Sequence, residues 1–343
     1  MDKLLTIVIP SYNMEKYLRR CLDSLLIDNS TLFNRLEVLI INDGSKDSTS
    51  AIAHEYESKY PDVFHVIDKE NGNYGSCVNR GIDEATGMYF RILDADDYFD
   101  KGNLGRFISF LSQLSDMPDL FLTNYSIDFI GGNSKIVSNY SYKSYVIYNI
   151  SDLTFDNDIR NCFLVMHRMT YRLEILRNSR LRHQEGISYT DSEYCFYPMR
   201  EVKCIMFIDT VLYHYQVGRD GQTVSTASYQ KNIHNIYKII DRMITSISNK
   251  EKDAVYYPAL ISILRMVLYP YYKTILTTRF SHNEDIVCIE KRILSMDVDL
   301  YNSLKSFKIY RTIPFVYLWR HGVKTNSKFF TYIYRRIDAL FLR

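Results

Sequence analysis

Met88-Tyr89-Phe90-Arg91-Ile92-Leu93-Asp94-Ala95-Asp96-Asp97 joins an apolar run of strand length directly to three carboxylates within four residues. The same layout occurs twice upstream. Leu4–Pro10 is a continuous apolar run that leads into Ser11-Tyr12-Asn13, and Leu36–Ile41 leads into Asn42-Asp43-Gly44-Ser45. Val63–Ile67 and Leu120–Thr123 read as further strands. Helical patterns separate them: Met14–Ile27, with Leu18, Cys21, Leu22, Leu25 and Leu26 on one face, then Asp47–Tyr60, Tyr74–Ala85 and Lys101–Leu114. Strands that are apolar throughout, alternating with helices, imply an α/β fold whose parallel sheet is covered on both faces. In such sheets ligands bind at the carboxyl ends of the strands, and all three polar clusters fall there. Further along, Gly131-Gly132-Asn133 predicts a hairpin within 126–150, Cys204–Tyr215 a strand, and the pattern from Tyr229 onward is helical.

The chemistry of the strand tips is specific. Asp94, Asp96 and Asp97 repel one another unless a cation sits among them, and hard oxygen ligands suit Mg²⁺ or Mn²⁺. A D-x-D at a strand tip is thus a natural holder of a metal–diphosphate; the other reading is a solvated acidic turn that caps the next helix. Asp43 can cap the helix that follows, or accept from the ring N–H of a base such as uracil, on which Tyr12 can stack. Glu70-Asn71-Gly72-Asn73-Tyr74-Gly75 is a Gly/Asn-rich turn that opens a helix, a setting that favours anions. No G-K-[ST] follows it and no G-x-G-x-x-G follows a strand, which disfavours a P-loop and a dinucleotide cofactor.

Taken together, P-S-Y-N at 10–13, I-N-D-G-S-K-D-S-T at 41–49, E-N-G-N-Y-G-S-C-V-N-R-G-I at 70–82 and L-D-A-D-D at 93–97 resemble the family 2 glycosyltransferases. The match is close over 4–125 and looser over 160–225. The resemblance implies a GT-A (Rossmann-like) fold and inverting transfer of a hexosyl or N-acetylhexosaminyl group from a nucleotide-sugar, commonly a UDP-sugar, with Mn²⁺ or Mg²⁺ as cofactor. It implies that Pro10, Ser11, Tyr12 and Asp43 line the nucleobase and ribose site, and that Asn71, Gly75 and Asn79 lie near the donor sugar or phosphates. Asp94, followed by Ala95, would meet ribose or sugar hydroxyls, and Asp96 would bind the metal. Val78 departs from the family's usual Arg, for which Arg80 or Lys69 can substitute. Asp191 matches the catalytic base, although Thr190 stands where members commonly carry an acid; Glu193 is the backup base. The segment 213–225 resembles one that closes over the donor, with Arg219 on the leaving diphosphate and His214 as a metal or phosphate ligand. The implied setting is bacterial surface or capsule polysaccharide synthesis on a glycan or lipid-linked acceptor, in the cytoplasm or at the inner face of the plasma membrane. Loss of the acid before Asp191 leaves open a catalytically inactive nucleotide- or carbohydrate-binding subunit. A nucleotidyltransferase would need a Gly-rich, basic loop after the first strand, where this chain reads P-S-Y-N-M-E-K.

Composition bounds these readings. The 343 residues include 30 Tyr and 18 Phe, an aromatic content that disordered chains do not carry. The net charge of +2 hides an acidic body, 1–230, and a basic remainder, 231–343. Charge so divided argues against a protein that coats nucleic acid along its length. Six scattered cysteines without a CxxC pair argue against a zinc site or a disulfide framework. The start, Met1-Asp2-Lys3, lacks a signal-peptide layout. Ala254–Tyr272 is nearly uncharged, but Pro258 and Pro270 point to a buried, proline-bounded helix rather than a membrane span. The expected organisation is a catalytic domain at 1–230, divided into a nucleotide-sugar half (1–125) and an acceptor half (126–230), followed by a basic, aromatic helical region at 231–343. Lys305–Arg343 of that region is suited to peripheral contact with an anionic membrane or to an oligomer interface.

Overall fold

A computed structural model describes residues 2–138, 141–155, 162–219, 222, 225–277, 283–309 and 312–325. The chain forms two compact units, Met1–Leu153 with Phe163–Asp220, and Thr154–Cys162 with Gly221–Arg343.

The first unit is built on a ten-stranded sheet. Its strands are β1 (Leu5–Ser11), β2 (Leu36–Asp43), β3 (Phe64–Lys69), β4 (Tyr89–Ile92), β5 (Tyr98–Phe99), β6 (Leu120–Phe129), β7 (Ser134–Val137), β8 (Ile147–Asn149), β9 (Met169–Arg172) and β10 (Cys204–Val217). The order is β3-β2-β1-β4-β9-β6-β10-β5, with β7 on β6 and β8 on β10. β3, β2, β1 and β4 are mutually parallel. Every residue of β1, β2 and β4 is buried, so both faces of this half are covered, as uninterrupted apolar runs require.

Two features of the sheet are absent from the sequence reading. β9 enters antiparallel between β4 and β6, joining the two halves of the catalytic unit in one sheet. At four residues it is too short to show a period. β10, parallel to β6, carries irregularities between Ile208 and Val211 and between Val211 and Tyr213. Such bulges re-aim the residues that follow, here Tyr213–Gln216. The glycine-rich hairpin forms between β6 and β7, where Gly131 and Gly132 adopt φ of 116° and 96°, conformations that glycine reaches without penalty.

Close packing sets the helix positions. The helix Asn73–Glu84 lies on β1 and β2, and a Cβ at Gly81 would stand 2.6 Å from both Val8 methyls. Glycine here lets the helix approach the sheet.

The second unit is helical: Thr226–Lys231, Ile233–Ser246, Tyr257–Thr277, Asn283–Met296, Val298–Ser303 and Phe315–Arg320. The suspected span is the helix Tyr257–Thr277. It continues through Pro270 instead of ending there. Of its two charged residues, Arg265 and Lys273, Arg265 is buried, donates to Ser303 Oγ and Ser306 Oγ, and lies over the Phe307 ring. Among the described residues no helix is long and apolar enough to cross a membrane. Most of the basic tail, residues 326–343, lies outside the described residues.

Candidate active site

Strand register gathers the polar tips. Ser11 pairs with Asn42 and Asp43 with Lys69, while Leu93 N–H donates to Val8 O at 2.9 Å. Asp94 therefore leaves β4 level with the end of β1. Pro10 and Ser11 are buried, whereas the Tyr12 ring is 45% exposed, a rim aromatic with a face available for stacking.

Asp43 organises the neighbouring loop. Its Oδ1 accepts from Lys69 Nζ at 2.6 Å and from Gly72 N–H at 2.9 Å, and its backbone carbonyl accepts from Asn71 Nδ2. Lys69 also donates to Ser76 Oγ at 2.8 Å. Of the two candidate substitutes for the family arginine, Lys69 thus sits on Asp43. Arg80 pairs with Glu84 at 2.7 Å, half exposed.

The carboxylates after β4 meet different partners. Asp94 Oδ1 accepts from Tyr74 OH at 2.9 Å. Burial first, then the charge of Asp96 and that of Asp191, push its carboxyl up to about 7. Asp97 is fully buried and accepts from Tyr213 OH at 2.6 Å and Gln216 N–H at 2.8 Å. Desolvation, then Asp96 and Asp94, raise its pKa well above the usual carboxylate range. His167 is held neutral, its pKa lowered to about 3 by burial and by Arg91. Ligand atoms of Asp94, Asp97 and His167 lie within 4.8 Å of one another.

The two expected metal ligands each have a protein partner. Asp96 pairs with Arg219, which also lies over the Tyr17 ring, so Arg219 meets a carboxylate here. His214 Nδ1 contacts Asp128 Oδ2 at 2.9 Å and its ring stacks on Tyr98. Neither Asp96 nor His214 belongs to the cluster of Asp94, Asp97 and His167. Buried acids this close favour a neighbouring cation, and Arg219 is the one beside Asp96. The donor set still fits a divalent ion. Carboxyl groups that burial and mutual repulsion hold toward protonation, beside a neutral imidazole, form a site that a dication relieves.

Asp191 opens the helix Asp191–Phe196. Its pKa is raised by desolvation, against backbone N–H groups of the helix start that favour the anion. Its charge acts on both Asp94 and Tyr74, so it lies within electrostatic range of the β4 tip. Thr190 is fully buried, with no hydrogen-bond partner for its hydroxyl. Glu193, the backup base, is fully buried and accepts from Gln184 N–H at 2.8 Å and Gln184 Nε2 at 3.0 Å. Asn79 is spent on the same 183–185 segment. Its Nδ2 donates to His183 O and Glu185 Oε1, and its Oδ1 accepts from His183 N–H. A Cβ at Gly75 would lie 2.2 Å from Gln184 O. Gly75 and Asn79, the helix residues expected near the donor, thus both pack against this segment.

The profile of glycosyl transferase family 2 matches residues 6–176. An uncharacterised glycosyltransferase of Rickettsia typhi is 30% identical over 66% of this chain and 68% of its own length. The chain belongs to glycosyl transferase family 2. An uncharacterised glycosyltransferase of Mycoplasma genitalium is 27% identical over 70% of the chain and 77% of the relative. The minor teichoic acid biosynthesis protein GgaB of Bacillus subtilis is 24% identical over 96% of the chain, which spans 36% of that longer protein. Among solved structures, S. aureus TarS 1–349 bound to UDP-GlcNAc superposes with a TM-score of 0.66 at 18% identity, over 97% of this chain and 92% of that one. This likeness shows the GT-A fold with its C-terminal helices.

For this family 2 glycosyltransferase, His167, beside Asp94 and Asp97, was not singled out in the sequence, where a lone His offers no local signal. Tyr74 and Tyr213 stand inside two of the quoted segments, but their hydrogen bonds to Asp94 and Asp97 could not be read there. Asp97 stood in the quoted D-A-D-D, but which of its acids turn inward is decided by Tyr213 and Gln216 on β10.

Proposed function

We propose that this glycosyltransferase moves a hexosyl or N-acetylhexosaminyl group from a UDP-sugar to a hydroxyl of a glycan or lipid-linked acceptor, with inversion, in bacterial surface polysaccharide synthesis. The observation that supports this reading is that the charge of Asp191 acts on Asp94 at the tip of β4, with burial raising the pKa of both carboxyl groups. GgaB, named for teichoic acid biosynthesis, and TarS, solved with UDP-GlcNAc, support the substrate class. PcManGT, a mannosyltransferase solved with GDP-Man and Mn²⁺, superposes with a TM-score of 0.53 and supports a divalent ion.

In this reading Tyr12 stacks on the base, Asp43 accepts from its ring N–H, and Ser11 and Pro10 wall the ribose. Asp94 and Asp97, with His167 and with Asp96 on the same turn, hold the cation. When bound, the ion neutralises charge on the departing diphosphate. Asp191 takes the proton of the acceptor hydroxyl as its oxygen bonds to the anomeric carbon, opposite the breaking bond to the diphosphate. Arg219, released from Asp96, pairs with that diphosphate. The test is a panel of UDP- and GDP-sugars with Mn²⁺, scored for nucleoside diphosphate release with and without glycan acceptors. The expected result is turnover of a UDP-sugar that Asp191→Asn abolishes; equal turnover by that variant would refute the assignment.

A further inference from the structure

We propose that Asn79, Gly75 and Glu193 form a clamp that positions Asp191 and that they do not contact the donor; this rests on Asp191 being the base. Three bonding systems converge on residues 183–186. Asn79, 6% exposed, uses both ends of its amide on His183 and Glu185, at 2.8–3.0 Å. Glu193, with no exposed surface, holds Gln184 through its backbone N–H and its side-chain amide. Gly186 N–H donates to Gly72 O at 2.8 Å, while Gly75 leaves no room for a side chain under Gln184 O.

The helix Asn73–Glu84 starts beside the Asp43 loop, and Glu193 lies one residue beyond Ser192 from Asp191. Asn79 and Glu193 thus both hold the 183–185 strap, one from the helix Asn73–Glu84 and the other from the helix that carries Asp191. Between the strap and Asp191, Tyr189 adopts a φ of 69°. That conformation is costly for an aromatic residue and persists only where surrounding contacts over-determine it. A carboxylate that must meet a hydroxyl at hydrogen-bond distance is placed through this strap. The clamp makes Asn79 and Glu193 positioning residues, their action passing through Asp191.

The test uses the full chain and three variants, Asn79→Ala, Glu193→Ala and Glu193→Gln. It measures UDP binding with Mn²⁺ by calorimetry, turnover of the UDP-sugar that the wild-type protein accepts, and backbone hydrogen exchange. Both alanine variants should lose about 10–100-fold in kcat, the scale of a misplacement near 1 Å. Their UDP affinity should stay within about two-fold, and exchange over 184–192 should rise while β1 and β2 stay protected. Glu193→Gln keeps an acceptor for Gln184 N–H and should recover most of the loss. A large fall in UDP affinity at unchanged kcat would make Asn79 a donor contact. Unchanged exchange over 184–192 would overturn the clamp with or without a turnover assay. Asp191→Asn run alongside separates the two readings: if it turns over normally the base assignment fails, and if it alone is inactive the clamp fails.

Discussion

Asp191 shows how environment sets the task of a carboxylate. Burial lifts its pKa above that of an exposed aspartate, and the N–H groups at the start of its helix moderate the rise. The base works only when ionised, and raising the pKa moves the loss of that form to higher pH. The acidic limb of kcat/KM should therefore fall above the ordinary Asp value of about 3.9, and a pH–rate profile of the free enzyme reads it directly. A limb at or below that value would remove Asp191 from the role. Asp191→Asn should cost about 10²–10⁴-fold in kcat, the usual contribution of a general base, with UDP binding by calorimetry nearly unchanged.

Among the elements, the helix Asn73–Glu84 has two glycines of different use from those a sequence pattern assigns. Gly81 faces Val8 and Gly75 faces Gln184, so both are packing devices. Gly81→Ala drives a methyl against two others at 2.6 Å and should destabilise by about 1–3 kcal/mol, the range for overpacking. Gly105, in the helix Lys101–Leu111, has nothing within 4 Å of its Cβ position. Gly105→Ala should therefore stabilise by about 0.5–1 kcal/mol through helix propensity. Urea denaturation of both variants checks the contrast; equal shifts would mean that neighbouring space does not decide the outcome.

At the scale of the whole molecule, each unit carries buried charge handled in its own way. In the first, Arg91 is buried without an acid partner among the described residues and donates to Thr123 Oγ1, Thr170 Oγ1 and His167 O. In the second, Glu290 meets Arg320 at 2.6 Å, both about nine-tenths buried, and Tyr272 OH donates to the same carboxylate. Glu290→Gln should cost about 3 kcal/mol, because it leaves a buried guanidinium uncompensated. Asp241→Asn removes the more exposed pairing with Arg292 and should cost under about 1 kcal/mol. Thermal unfolding of the two variants measures the difference.

The strands β1, β2 and β4 and the helices around them were legible because a strand buried on both faces must be largely apolar, and that constraint is written locally. The tips were legible for the same reason: Asp43, Asp94 and Asp96 interrupt apolar runs where only a ligand or a cap justifies them. β9 was not legible, because four residues show no period and its place between β4 and β6 depends on partners distant in sequence. Nor could the sequence separate Asn79 as a strap holder from Asn79 as a donor contact, since both need the same amide. It also could not say which acid meets Arg219 and which meet Tyr74 and Tyr213. Local chemistry thus determined the fold class and the residue types of the site. Side-chain pairing across the sheet, which depends on three-dimensional distance, decided which of those residues meet one another: Asp94 with Tyr74, Asp97 with Tyr213, and Asp96 with Arg219.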